Sequence, residues 1–401
     1  MSANYKTPGV YRREIFLQPE TPFQTGVPAF VGFADASAAE PASARQPVKL
    51  SRKEEFAAKF RTPPDGYLAD AVKGFFGNGG ASCFVVPADA SVPDREAALK
   101  EAIDTLAPFG DFDLLAVPDA MRLCPRASSE TALLCPGANP DAQAAVRVQQ
   151  HVLAHCAEHN DRFAVLDALP DRTTQTVISQ REALTLGQSE PVNAALYYPW
   201  IQIADPTTQG GLRPVPPCGH VAGVYARTDA RVGVFKAPAN EEVLGAISLE
   251  TNIDQLAQEK LNPLGVNCIR AFAGRGIRVW GARTLSRDAL WRYVNVRRQF
   301  LTINRWVELN MAWAAFEPNA ARLWVRIARE LGNYLETLWR AGALKGDTRD
   351  EAFYVKCDEE TNPAETREVG QVVTEVGLAL GAPAEFVVVR IFHRAGATII
   401  G

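Results

Sequence analysis

The sequence predicts an α/β and α+β protein: an outer α/β domain with a mostly parallel sheet, and a C-terminal mixed domain with a long helical hairpin and β-strands, with extended terminal arms. Three observations carry this. Short apolar runs alternate with helical segments through the first half of the chain, the pattern of parallel strands joined by crossover helices. Two long amphipathic patterns meet at Glu317-Pro318-Asn319, where a proline cannot continue a helix. Both ends carry strand-prone stretches too short to bury their own faces. The expected division is an N-terminal strand-forming arm at residues 1–22, an outer α/β domain at 23–217, an inner domain at 218–380, and C-terminal strands and arm at 381–401.

In the first arm, Pro8, Pro19 and Pro22 prevent a helix, while Gly9 to Phe16 has the β-branched and aromatic content of a strand. From Val27 onward, strands are predicted at Ala29 to Phe33, Cys83 to Val86, Leu114 to Val117, Phe163 to Leu166 and Ala194 to Tyr198. Helices are predicted at Lys53 to Phe60, Tyr67 to Phe76, Arg95 to Leu106 and Gln143 to Glu158. Asp89, Asp119 and Asp171 each follow a strand, at the edge where α/β enzymes place ligands. Turn formation and capping explain the same placement.

Chemistry is sparse. The chain has no GxxxxGK[ST] phosphate loop, no GxSxG elbow and no HExxH zinc helix. Gly77-Asn78-Gly79-Gly80 precedes a strand, so it reads as a helix-ending turn and not as a dinucleotide loop. His151, His155 and His159 share one helical face with Cys156 close by. Over two turns they span about 12 Å, too far for one ion with bonds near 2 Å. His220, opening a later helix, has no acid or nucleophile beside it in sequence and reads as structural. No catalytic residue, cofactor or metal is assigned.

Composition narrows the class. The apolar and charged fractions, 47% and 22%, are those of a globular chain with real cores. A net charge of −4 with no basic run argues against nucleic acid as a partner. The N-terminus lacks a signal-peptide pattern and no apolar run is long enough to span a bilayer, so assembly in the cytoplasm is expected, without direct membrane insertion. Seven scattered cysteines without a CxxC pair read as free, buried thiols.

Beyond Pro217 a helix from His220 leads to a proline-ended turn, and strands are expected at Leu244 to Leu249, Val266 to Arg270 and Ile277 to Trp280. In the first long helix Tyr293, Val296, Phe300, Ile303, Val307 and Met311 fall at three- and four-residue steps. In the second, Trp324, Ile327, Leu331, Tyr334 and Leu338 do the same, Asn319 is the expected cap, and Gly342 follows where a left-handed residue is due. A short strand, Ala352 to Cys357, follows. Val369 to Leu380 and Glu385 to Phe392 read as an antiparallel pair, with Ala395 to Ile400 as a further strand.

The words WRYVNVRR, AFEPN, WRAGALKG, AFYVKCD and PAEFVVVRI occur in order from Trp291, with TPGVYRREI and VPAFVGFAD at the other end. Together they resemble the contractile tail sheath proteins of contractile phage tails, R-type bacteriocins and extracellular contractile injection systems. That resemblance implies a structural subunit, not an enzyme. It would polymerise with itself as sixfold rings in a helical sheath around an inner tube protein, bounded by baseplate and terminal cap proteins, and would contract by rigid-body rearrangement. It also implies arms exchanged between neighbours, which assigns strand pairing to Gly9, Val10, Tyr11, Ile15 and Phe16 and to Ala397, Thr398, Ile399 and Ile400. Arg322, Arg326 and Arg329 form a basic stripe at helical spacing, and since a helix of this domain faces the tube in the family, they are the expected tube-facing residues. Local pairing with Glu330 and Glu336 explains the stripe as well. The alternatives are a non-contracting sheath-like cap or ring, and an α/β hydrolase-like or metal-dependent enzyme using Asp89, Asp119 or the histidine helix.

Overall fold

In a computed structural model of the chain, the described residues are 24–36, 46–124, 140–170, 173–185, 191–205 and 210–385, with the backbone of 391–394 and 397–400. Among the described residues nine strands make one sheet: β1 (Pro28–Phe33), β2 (Val48–Leu50), β3 (Cys83–Ala88), β4 (Leu114–Ala116), β5 (Phe163–Asp167), β6 (Ala194–Tyr198), β7 (Glu241–Glu242), β8 (Val266–Phe272) and β9 (Gly276–Trp280). Their spatial order is β7-β9-β8-β6-β5-β4-β1-β3-β2. The six strands from β8 to β3 run parallel, and antiparallel pairs close both edges. Such strands are buried on both faces, which is why they read as continuous apolar runs and not as alternating ones.

One face packs against α2 (Arg95–Asp104), α3 (Pro140–His159) and α4 (Thr174–Thr185) through Leu99, Ile103, Val148, Val152 and Val177. The other receives α1 (Leu68–Gly77) and α5 (Cys218–Arg231). These two helices approach very closely: a Cβ on Gly219 would sit 2.3 Å from the Ala71 backbone, and one on Gly223 would sit 2.5 Å from the Phe75 carbonyl oxygen. The boundary expected at residue 217 therefore falls inside a continuous sheet, because α5 is a covering helix for strands that precede it and β7 to β9 extend the same ladder.

Past the short helix α6 (Gln255–Leu261) and the β8–β9 hairpin, the chain enters α7 (Val294–Met311) and α8 (Ala321–Arg340). Trp306 stacks on Tyr334 at 3.8 Å with the rings 2° apart, a contact worth about 0.5–1.5 kcal/mol beyond burial. Two further strands, β10 (Phe353–Lys356) and β11 (Glu375–Leu378), pair antiparallel and lie on α8. Gly342 is left-handed at φ 78°, as the sequence requires of a residue ending that helix.

Three expectations need correction. The run Val369–Leu380 pairs through β11 with β10, both packed against α8, while most of its expected partner Glu385–Phe392 lies outside the described residues. β12 (Ile391–Arg394) pairs with β13 (Ala397–Ile400). Leu244–Leu249 holds strand only at Ser248–Leu249. Asn319 does not cap α8: its Oδ1 accepts from the Trp324 indole at 2.8 Å, and Ala320 takes the cap position without a side-chain bond.

Candidate assembly surfaces

The first half of α7 is buried all round, and its polar residues enter the core together. Arg298 donates to both oxygens of Asp229 at 2.9 and 2.6 Å and to Asp113 at 3.0 Å, and its guanidinium lies 4.8 Å from the Tyr225 ring centre. Burial alone would lower the pKa of this arginine, but the two carboxylates outweigh it and hold the charge firmly. Asp113 also accepts from the backbone N–H groups of Gly26 and Val27 at 2.9 and 2.6 Å. The segment that follows the N-terminal arm is thereby tied to the root of the helical hairpin.

The C-terminal segment is rooted at the same place. Glu385 accepts from Arg283 at 2.8 and 2.5 Å, from Asn262 at 3.0 Å and from the Tyr293 hydroxyl at 3.2 Å. Burial works against this carboxylate, yet the Arg283 hydrogen bonds win and lower its pKa. Tyr293 immediately precedes α7, so both latches, Arg298–Asp113 and Tyr293–Glu385, close on the start of one helix.

Among the described residues the β10–β11 ladder has two strands, so each presents an outer edge. Unpaired edges are templates for added strands. Of the residues assigned to strand arms, Gly9, Val10, Tyr11, Ile15 and Phe16 lie outside the described residues. Ala397, Thr398, Ile399 and Ile400 form β13, in register with Arg394, His393, Phe392 and Ile391 of β12.

Arg322, Arg326 and Arg329 all lie on the exposed face of α8, with Val325 between them 66% exposed. Arg326 pairs with Glu330 at 2.9 Å and lies 3.5 Å from the Trp313 ring centre. The other predicted partner, Glu336, pairs with Arg340 instead, four residues along the helix.

The residues weighed for catalysis have other work. Asp89 closes a turn by accepting from the Ser91 N–H and hydroxyl at 2.8 and 2.6 Å. Asp119 is fully buried and accepts from Phe33 N at 2.7 Å and Tyr67 N at 2.6 Å, joining the end of β1 to the entry of α1. Burial pushes its pKa up to about 6 in spite of those bonds. Asp171 lies outside the described residues. His151 pairs with Asp104 at 2.6 Å, and His155 meets Arg162 at 2.9 Å, where burial and that arginine push its pKa down to about 4. The His155 and His159 ring centres lie 4.5 Å apart. His220 is buried against Gly74, where an added Cβ would clash with its ring. Cys83, Cys156, Cys218, Cys268 and Cys357 are buried, free thiols, and Cys124 is buried.

Sequence reasoning gave no role to Arg297, Arg298 and Arg305, which the structure buries in the first half of α7. The available signal was the pairing of Asp113 and Asp229 with a doubled arginine at the head of the helix, but nothing in periodicity brings those positions together.

An α/β sheet carrying a helical hairpin, a strand pair with open edges among the described residues, and segments at Gly26–Val27 and Glu385 both tied to the start of α7 has the form of a structural assembly subunit. The phage tail sheath protein central domain matches residues 127–285, and the phage tail sheath C-terminal domain matches 286–394. A putative prophage major tail sheath protein of Pseudomonas aeruginosa (strain UCBPP-PA14) is 27% identical over 192 residues, 47% of this chain and 48% of that protein; the match thus spans about half of that relative. Among solved structures, a chain of the anti-feeding prophage baseplate is 28% identical with a TM-score of 0.75, covering 98% of this chain and 100% of that one. A chain of the contracted sheath complex of PVC, an extracellular contractile injection system, is 27% identical with a TM-score of 0.72, covering 98% and 99%. The chain belongs to the contractile tail sheath family.

Proposed function

We propose that this chain is the structural subunit of a contractile sheath, which polymerises as stacked sixfold rings around an inner tube and drives that tube forward by rigid-body rearrangement of its subunits. The observation that carries the reading is the open β10–β11 pair together with two chain ends latched to the start of α7. A strand pair with open outer edges accepts strands from neighbours. Residues 9–16 of one copy and Ala397–Ile400 of another are the donors, and β13 leaves its partner β12 on assembly. The latches make each arm pivot from a fixed point, so subunits rotate about their connections without unfolding. Pairing of this kind joins head to tail and generates a helical polymer.

The exposed α8 face, with Arg322, Arg326 and Arg329, supplies positive charge toward acidic groups of the inner tube. Baseplate and cap proteins bound the two ends of the polymer. The division into an outer domain, an inner domain and two arms is a functional one, with the large sheet lying outward and the hairpin inward.

Negative-stain electron microscopy of the chain alone, with its tube protein, and without residues 1–18 tests the reading. Tubes that vanish on removing the arm are the expected result, whereas a monodisperse monomer in every condition overturns it. Arg326→Glu with Arg329→Glu is expected to leave the monomer folded and stop sheath forming on tubes; normal co-assembly removes the tube assignment.

A further inference from the structure

Where β9 leads into α7, a cavity of about 300 Å³ is lined by Arg181, Arg283, Thr284, Ser286, Arg287 and Arg292, with no acidic residue in its wall among the described residues. Arg181 donates to the carbonyls of Leu264 and Leu285, and Arg283 is held by Glu385. These bonds fix the floor. Arg287 and Arg292 are exposed at the rim, and Arg292 makes no ion pair among the described residues. Guanidinium groups set this way around hydroxyls form a receptor for carboxylates, which accept the paired N–H bonds of the fork.

The complementary charge lies at the other end of the hairpin. Between residues 356 and 375 there are six acids and two bases. Glu359, Glu365 and Glu368 are exposed and make no ion pair among the described residues. This lobe is fastened to the hairpin tip: Cys357 packs with Trp324 and Ile327, Asn319 donates to the Gln371 carbonyl, and the Arg367 guanidinium lies 5.8 Å from the Trp324 ring centre. The cavity, by contrast, opens at the root, beside the first turn of α7. The helix between them has 18 residues, about 27 Å at the helical rise. One copy therefore cannot bring its own lobe to its own cavity.

We infer that the arginine-lined cavity at the hairpin root receives the acidic lobe, residues 358–368, of a second copy of this chain. Two different patches on opposite ends of the hairpin make a heterologous contact, the kind that extends into a polymer and does not close as a dimer. The contact adds an electrostatic register to the strand exchange and rests on the sheath reading above. Being partly exposed, it weakens as ionic strength rises.

Three variants of the full chain test it: Arg287→Glu with Arg292→Glu; Glu359→Lys, Glu365→Lys and Glu368→Lys together; and all five changes in one chain. Circular dichroism and melting temperature confirm that each monomer is folded, and light scattering with microscopy gives the concentration at which polymers appear. Each reversal alone is expected to raise that concentration at least about tenfold, and the five-fold variant to return it to near the parental value. Reversals that assemble like the parent, or a combined variant that stays impaired, overturn the inference; the latter points to the α8 stripe or another acceptor. A parent chain that forms no polymer at all overturns the sheath reading itself.

Discussion

Arg298 is the residue on which the hairpin root depends. It is buried beside Asp113 and Asp229, and Asp113 in turn holds the backbone at Gly26 and Val27. Arg298→Met removes the only guanidinium reaching both carboxylates among the described residues and leaves two acids buried close together. The expected loss is about 3–5 kcal/mol, read from chemical denaturation of the monomer. A second residue-scale effect concerns pH. Asp119 and Asp167 are buried with pKa values raised to about 6 and about 7, above the unfolded value near 3.9. Folding therefore favours their protonated forms: the stabilisation is fully present below about pH 4 and is lost as pH rises through 6 and 7. Asp167→Asn keeps an acceptor for the Cys218 N–H, which Asp167 binds at 2.8 Å. Thermal unfolding between pH 5 and 8 is expected to fall with pH in the parent and to flatten in this variant; parallel curves contradict the assignment.

At the scale of elements, the α1–α5 contact depends on having no side chains at Gly219 and Gly223. Gly223→Val places carbon where the Phe75 carbonyl already sits, and the helices must separate at a cost of about 3 kcal/mol. A lowered denaturation midpoint with an unchanged slope is the expected reading. The Gly-x-x-x-Gly spacing is plain in the sequence, yet its partner helix is not, since Ala71 and Phe75 lie some 150 residues earlier. The hairpin shows the same division. The apolar periodicity of both long helices predicts two helices and a break, and both are observed. Which polar positions of the first helix are buried depends on the sheet packed around it, so the burial of Arg297 and Arg298 is not legible in the periodicity.

For the whole molecule, assembly is the level at which the termini matter. Glu385→Gln weakens the latch to Arg283 without emptying a core position, because the side chain is 19% exposed. Monomer stability is expected to fall by about 1.5–3 kcal/mol, the worth of a hydrogen bond to a charged partner. The C-terminal arm loses its fixed pivot, so polymers of this variant are expected to be shorter and more variable in diameter by electron microscopy; tubes of parental length and uniformity contradict the latch. The sequence by itself determined the parallel strands, the two long helices, their break and the family words at both ends. All of these follow from local periodicity, turn chemistry and short-range spacing, which act between residues close in the chain. Only the tertiary structure decided that β11 pairs with β10, that β7 to β9 extend a sheet begun at Pro28, and that Arg298 and Glu385 anchor opposite ends of the chain to one helix. Those outcomes depend on contacts between residues about 20 to 250 apart, whose energies come from burial and charge pairing that no local pattern records.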